Sequence, residues 1–353
     1  MQSKDRSNTR TISKQQAFRN VICIILMYFA NSIVSAQDGK LYEFSAEKYL
    51  MGTQFRITAV HTSIDSMKKA IYYSLREVER IQGVMSMQMN SSEIYKINTN
   101  AGIEPVKVTY ETYSIIKRAI EYSLKFEGVF DITIGPVSEC WGFNSDKAIT
   151  QIPEKFVIDS LLKYVGSEKI ILNPADTSVY LPLKGMLLDL GGIAKGYAVD
   201  RAADIMKTNG ITNFIVNGGG DMFVCGYKNI RTMQKWNVGI KHPREENTVV
   251  AVLEINDMAV GTSGDYERFL ILDNVRYHHI FDTKTGWPSN TSESATSITT
   301  TTEEAVVLSK YFFIKGGSIF KQNYSLNGVI VDSSGNVVCT PEMHNIYNIT
   351  LSK

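Results

Sequence analysis

Two glycine clusters bracket one helix-length apolar pattern, and together they constrain the fold of this chain more than any other feature. The first is Asp189-Leu-Gly-Gly-Ile-Ala-Lys-Gly-Tyr-Ala-Val-Asp200 and the second is Val216-Asn-Gly-Gly-Gly-Asp221. Gly191 and Gly192 carry no Cβ, so backbone amides there can come close to a ligand. Lys195 follows in the first turn of a predicted helix, apolar at Ile193, Tyr197, Ala198, Ala202 and Ile205 and closed by the C-cap pair Asn209-Gly210. Glycines feeding a helix N-terminus, with a lysine in its first turn, describe a seat for a phosphate or pyrophosphate. A predicted strand, Phe214-Ile-Val216, runs into the second cluster. One glycine run alone equally describes tight turns beside a buried strand. Two runs flanking one helix, each with an acidic residue, point to a nucleotide-like ligand. Neither G-x-G-x-x-G nor G-x-x-x-x-G-K-[ST] occurs here, which excludes the Rossmann and Walker forms of that site.

The rest of the chain narrows the class. It has 353 residues, a net charge of +1 and 44% hydrophobic residues, so an ordered globular protein is expected and nothing argues for nucleic acid as a partner. Lys4, Arg6, Arg10, Lys14 and Arg19 precede the apolar run Val21–Ala30, and Val34-Ser-Ala36 places small residues where a signal peptidase reads. Residues 1–36 are therefore read as a signal peptide and the remainder, 37–353, as an exported, periplasmic protein. The competing reading is an uncleaved anchor giving inner-membrane association, for which the apolar run is short against a span of about 20 residues. Setting Cys23 aside leaves Cys140, Cys225 and Cys339, an odd number best read as small, mostly buried apolar residues, and no Cys/His cluster supports zinc.

Periodicity predicts strands over 45–60 with a bend at Gly52, helices over 63–82, 111–126, 153–165 and 299–315, and short strands at 169–172, 178–181, 186–189, 236–240, 249–255, 258–262, 278–282 and 326–331. No linker or repeat divides this part of the chain, and the elements do not alternate strictly as βαβ. The fold class is α+β in one compact unit. Within it, Phe130-Asp131-Ile-Thr133 follows a helix and meets Gly135-Pro136, which is expected to end regular structure; an acidic residue beside a hydroxyl here could simply cap local backbone. His278-His279 with Asp282 could serve acid–base chemistry or be packed histidines bonded to backbone.

Five ordered motifs resemble the FAD:protein FMN transferase family, the ApbE-like flavin transferases: Met51-Gly-Thr-Gln-Phe55; Phe130-Asp-Ile-Thr-Ile-Gly-Pro136 with Cys140-Trp-Gly-Phe143; the two glycine clusters; Thr262-Ser-Gly-Asp-Tyr-Glu-Arg268; and His278-His-Ile-Phe-Asp-Thr-Lys-Thr-Gly-Trp-Pro288. The resemblance runs from about residue 42 to about 316. It implies one α+β domain of mixed, largely antiparallel sheets with packed helices. It also implies an activity that moves FMN from FAD to a Ser or Thr hydroxyl of an acceptor flavoprotein and releases AMP. By the resemblance, Met51, Val129, Phe130, Asp131 and Phe281 match flavin-contacting positions, with His279 and Asp282 nearby and His279 the candidate for proton transfer. Asp189 would hold ribityl or ribose hydroxyls, Lys195 would meet the pyrophosphate, and Gln88 stands where the family often stacks an aromatic residue. Magnesium is expected from the family, with the Gly192 carbonyl as one ligand. The other two ligand positions, usually aspartate and threonine, fall on Val306 and Lys310, neither of which offers oxygen to a hard cation. Three outcomes follow: a transferase whose metal shell uses the Gly192 carbonyl, water and Glu304; a flavin-binding relative in which the Lys310 ammonium stands in place of magnesium; or a structural protein that kept only the fold.

Overall fold

A computed structural model describes residues 39–143, 151–321, 326–343 and 349–351 of the chain; the leader expected over 1–36, Cys23 included, lies outside the described residues. Its centre is an eight-stranded antiparallel sheet. The spatial order of strands is Tyr42–Leu50, Thr53–His61, Phe214–Gly218, Asp221–Cys225, Met258–Gly264, Ser292–Thr299, Gly328–Asp332 and Val337–Cys339. The first two strands form a hairpin whose two turn residues, Met51 and Gly52, both take positive φ (51° and 75°). That is the tight turn whose twist matches the strands it joins.

Alternation along these strands gives the sheet two apolar faces. Ile57, Ala59, Phe214, Val216 and Ala259 meet the helices Ile64–Met85, Ala194–Thr208 and Thr302–Lys315. Val60, Val224, Val260, Ile298 and Val329 meet a smaller sheet of Trp236–Lys241, Val249–Ile255 and Thr350–Leu351. Fully buried Phe55, Phe214, Phe312 and Phe313 anchor the first face, each contributing about 1.5–3 kcal/mol by leaving water. A third cluster gathers Trp141, Phe143, Ile158 and Phe281.

Most expected elements are present, among them Ile64–Met85, capped by the Ser63 hydroxyl, and Ala194–Thr208, with Gly210 at φ +78° just beyond its end. Four expectations are corrected. Residues 186–189 form no strand, because the Asn98 side chain bonds Leu188 N–H (2.7 Å) and C=O (2.9 Å) in place of a neighbouring strand. Residues 278–282 are not a strand either: Val275–His278 pairs with Phe269–Leu272 and the chain then leaves the ladder. Gly135-Pro136 opens the helix Gly135–Trp141 where a break was expected, since proline suits a first helical turn. Finally, 299–301 do not belong to the helix; Thr299 ends a strand, and Thr301 caps Thr302–Lys315 by accepting from Glu304 N–H. Cys140 and Cys225 are free thiols, Cys225 buried.

Candidate active site

The glycine loop is built before its helix begins. Asp189 caps a short 3-10 turn, Leu190–Gly192, its Oδ1 accepting from Gly191 N–H at 2.8 Å, while its own N–H donates to Ile132 C=O at 2.7 Å. This second bond ties the Phe130–Thr133 segment to the loop. Phe130 lies directly over Gly192: a Cβ there would sit 2.9 Å from the ring and 3.3 Å from Lys310 Cε. Glycine at 192 is therefore a packing requirement.

Lys195, in the first turn of Ala194–Thr208, reaches Asp221 Oδ2 at 2.8 Å. Asp221 is buried at the end of the second glycine cluster, and its Oδ1 accepts from Thr262 N–H at 3.2 Å. The two clusters are thus joined by an ion pair that the sequence reading did not anticipate, although an aspartate closing Asn217-Gly-Gly-Gly220 was its visible signal. The N–H of Gly220 donates to Asn217 Oδ1 at 2.8 Å and shapes that turn.

The helix Thr302–Lys315 supplies the opposite wall. Its first two N–H groups donate to Asp200 at 2.7 and 2.9 Å, and the Ser297 hydroxyl donates to Ala305 C=O at 2.6 Å. Ser263 and Ser309 share a 2.8 Å bond. Glycines permit its close approach on two sides: a Cβ on Gly196 would lie 2.5 Å from Thr302 O, and one on Gly261 2.5 Å from Ala305 C. This rotation aims Val306 at Gly196 and Lys310 at Gly192, one helical turn apart on one face. Lys310 Nζ donates to Val306 C=O at 3.0 Å. Burial pushes its ammonium down to about 8, with Lys195 lowering it further while Asp221 and Asp189 hold it up.

The histidines divide cleanly. His278 is buried; its Nε2–H donates to Ser289 C=O at 2.7 Å and its Nδ1 accepts from Ile280 N–H at 3.2 Å, so it is a packed structural residue. His279 points to the site. Its Nδ1–H donates to Arg268 C=O at 3.3 Å, and this leaves Nε2 without a proton in the neutral ring. Burial holds it well below the usual imidazole range, with Arg268, His278, Lys310 and Lys195 all disfavouring a further positive charge.

Several expected site residues also hold local structure. Asp131 is buried and both its oxygens hold local backbone: Oδ1 accepts from Thr133 N–H (2.8 Å) and Oγ1 (2.6 Å), and Oδ2 accepts from Ser167 N–H (2.8 Å). The Phe281 ring packs 6.0 Å from Trp141 and 6.1 Å from Phe143. Asp282 shapes a turn, with its Oδ1 accepting from Lys284 N–H at 2.9 Å. Val129 is buried beside Phe130 in sequence. Met51 sits at the hairpin tip with its N–H on Gln82 Oε1, and Arg268 reaches over the same tip, where a Cβ on Gly52 would be 3.1 Å from its Nη2. Gln88 is exposed on a turn in which its N–H donates to Ser86 Oγ at 3.1 Å.

The residues present do not fit a magnesium ion at the family's ligand positions. The Gly192 carbonyl is matched there with an aliphatic side chain and an ammonium, whereas the ion demands oxygen. Glu304 is corrected as a substitute ligand, because its Oε1 accepts from Lys125 Nζ at 2.7 Å; Glu303 likewise binds Arg118 through two bonds of 2.7 Å. Among the described residues no three His, Cys, Asp or Glu side chains are grouped to hold a metal.

What remains is a cluster made of a glycine-flanked helix start, a lysine pair, a ring over the glycine loop and a histidine held neutral. Residues 51–328 match the model of the ApbE family. The chain is 28% identical over 309 residues to a FAD:protein FMN transferase of Klebsiella pneumoniae, covering 85% of this chain and 92% of that one. It is 31% identical over 242 residues to one of Vibrio cholerae, covering 68% and 71%. Among solved structures, the ApbE protein of Thermotoga maritima superposes with a TM-score of 0.79 at 32% identity, covering 85% of this chain and 97% of that one. The flavin transferase ApbE of Vibrio cholerae does so at 0.76 and 25%, covering 86% and 99%. With a family match spanning residues 51–328, most of its length, the chain belongs to the ApbE family.

Proposed function

We propose that this protein is a FAD:protein FMN transferase, moving FMN from FAD to a Ser or Thr hydroxyl of an acceptor flavoprotein and releasing AMP. The observation that carries this reading is the grouping of the glycine loop, the Lys195–Asp221 pair and His279, whose ring feels the charges of both Lys195 and Lys310. The 3-10 turn and first helical turn offer backbone N–H groups to the pyrophosphate, and Lys195 adds a point charge. His279 Nε2 takes the proton of the acceptor hydroxyl. The hydroxyl oxygen then bonds to the FMN phosphorus, the bond from that phosphorus to the AMP oxygen breaks, and AMP leaves as its anion. Positioning and charge neutralisation supply most of the catalysis in such a transfer.

In relatives that hold it, magnesium would supply neutralisation of phosphate charge; in this chain the Lys195 and Lys310 ammoniums are the cations beside the glycine loop. Export is part of the same proposal: residues 1–36 read as a leader, which places the acceptor outside the cytoplasm, and N-terminal sequencing of the secreted protein tests it.

The test of activity is AMP release from FAD, with covalent flavin fluorescence followed on gels after adding the membrane fraction of a strain deleted for the gene. A fluorescent acceptor band and matching AMP are expected, both lost in His279→Ala. Saturable FAD binding with neither product would leave a flavin-binding protein that does not transfer, a reading favoured by Val306 and Lys310.

A further inference from the structure

We propose that the Lys310 ammonium is the resident cation of this site, so that the pyrophosphate of FAD is held by Lys195 and Lys310 without a divalent metal. The inference rests on the reading of the pocket as an FAD site and concerns how that site is charged.

The argument begins with position. Lys310 and Val306 share the helix face turned toward the glycine loop, and Lys310 Cε lies 3.3 Å from where a Gly192 side chain would begin. The helix cannot rotate to present other residues. Asp200 holds its start, Ser297 and Ser263 hold its flank, and Gly196 and Gly261 lock it between helix and sheet. Glu303 and Glu304 are committed to Arg118 and Lys125 on the helix Tyr110–Lys125. The cation seat therefore receives the charge that Lys310 brings.

Chemistry follows from the donor count. An ammonium has three protons, and Lys310 uses one on Val306 C=O, which also steers Nζ back along the helix face. The other two remain available to phosphate oxygens. Lys195 is held differently, tethered to Asp221, which itself accepts from Thr262 N–H. The pocket then presents two cations of different mobility on two elements, with Asp221 and Asp189 keeping their repulsion tolerable. A divalent ion brought into this seat would face the Lys310 ammonium in place of ligand oxygens.

The full purified chain is titrated with FAD, following flavin fluorescence, once in EDTA and once in magnesium chloride. The dissociation constant is expected to agree within about twofold between the two. Lys310→Met, which keeps the aliphatic stem and removes the charge, should weaken metal-free binding by about tenfold or more, since it deletes a charge-assisted contact; Lys310→Arg should recover most of it. Unchanged Tm in both variants separates loss of charge from loss of fold. Val306→Asp with Lys310→Thr should make FAD binding depend on magnesium. A tenfold weakening of the unmodified protein by EDTA, or Lys310→Met binding as tightly as the parent, overturns the proposal while leaving the flavin site intact. Failure to bind FAD under either condition overturns the flavin reading, and this one with it.

Discussion

Gly196→Ala probes the close crossing that sets the site's geometry. The added Cβ would fall 2.5 Å from Thr302 O, 2.8 Å from Thr302 C and 2.8 Å from Val306 Cγ2. Ordinary contact begins near 3.4 Å, so the Ala194–Thr208 and Thr302–Lys315 helices must part by about 0.6–0.9 Å, the difference between 3.4 Å and those distances. The obstacle is mostly backbone, which cannot swing aside. Overpacking of this kind costs about 1–3 kcal/mol, and alanine's better helix propensity returns about 1 kcal/mol. The net expectation is a loss of roughly 0–2 kcal/mol, seen as a Tm lower by up to about 4 °C in a chain of this size. Because the second helix is pinned elsewhere, part of the strain reaches Lys310, and FAD binding should weaken about threefold or more. The control is Gly83→Ala, in the helix Ile64–Met85, where the new methyl meets nothing within 4 Å. That variant should gain roughly 0.5–1 kcal/mol. Thermal melts and FAD titrations of the two proteins decide the matter: a Gly196→Ala protein as stable as Gly83→Ala refutes the crossing as described.

Three further outcomes can be measured. Arg118→Ala strands the buried Glu303 carboxylate, and with Arg118 itself partly exposed the loss should be about 2 kcal/mol in urea melts, below the usual figure for fully buried pairs; Arg118→Lys should recover only part, lacking the two-pronged geometry. Gly192→Ala drives a methyl toward the buried Phe130 ring at 2.9 Å and should weaken FAD binding at least tenfold, with a stability loss of about 1–3 kcal/mol seen as a lower Tm. The pH profiles should diverge in sign from an ordinary histidine. His278 and His279 both titrate below 6.5 in the folded chain, so the unfolded chain binds more protons and stability is lost as pH falls through that value, whereas the transfer rate, which needs neutral His279, should show no inflection near 6.5 and decline only further into acid.

The sequence displayed its glycine elements and long helices because each has a local cause: a cap, a 3.6-residue period or a φ that glycine favours. It hid elements whose cause is distant. Ser292–Thr299 is a central strand built from Ser and Thr that are nearly all buried, and its hydroxyl-rich composition reads as loop. The Thr296 and Ser297 hydroxyls find their partners in Thr262 and Ala305 C=O, which no window along the chain contains. The Asp131 carboxylate shows the same limit from the other side: a cap on its own turn is legible locally, but a turn 36 residues away also donates to one of its oxygens. His278 and His279 adjoin in sequence, yet only the exit of the chain from its hairpin decides which ring faces the pocket.

The helix Thr302–Lys315 also explains how a site can lose its metal ligands while the fold around it persists. Its supports are backbone groups and the side chains of Thr301, Ala305, Ser309 and Phe312, together with glycines on its neighbours. Val306 packs toward Gly196, whereas the Lys310 ammonium, one turn on, takes no part in those supports. Substitution there changes the charge presented to Gly192 without moving the scaffold, so overall superposition on relatives is blind to it. Aspartate is smaller than valine, so Val306→Asp meets no steric bar beside Gly196, and the new feature is a carboxylate at a buried position. A carboxylate there beside Lys310 should form an ion pair that silences both groups, and Val306→Asp alone should therefore bind FAD more weakly than either the parent or the paired Val306→Asp, Lys310→Thr protein with magnesium. If the single variant binds FAD as the parent does, Lys310 is not the charge that the dinucleotide meets.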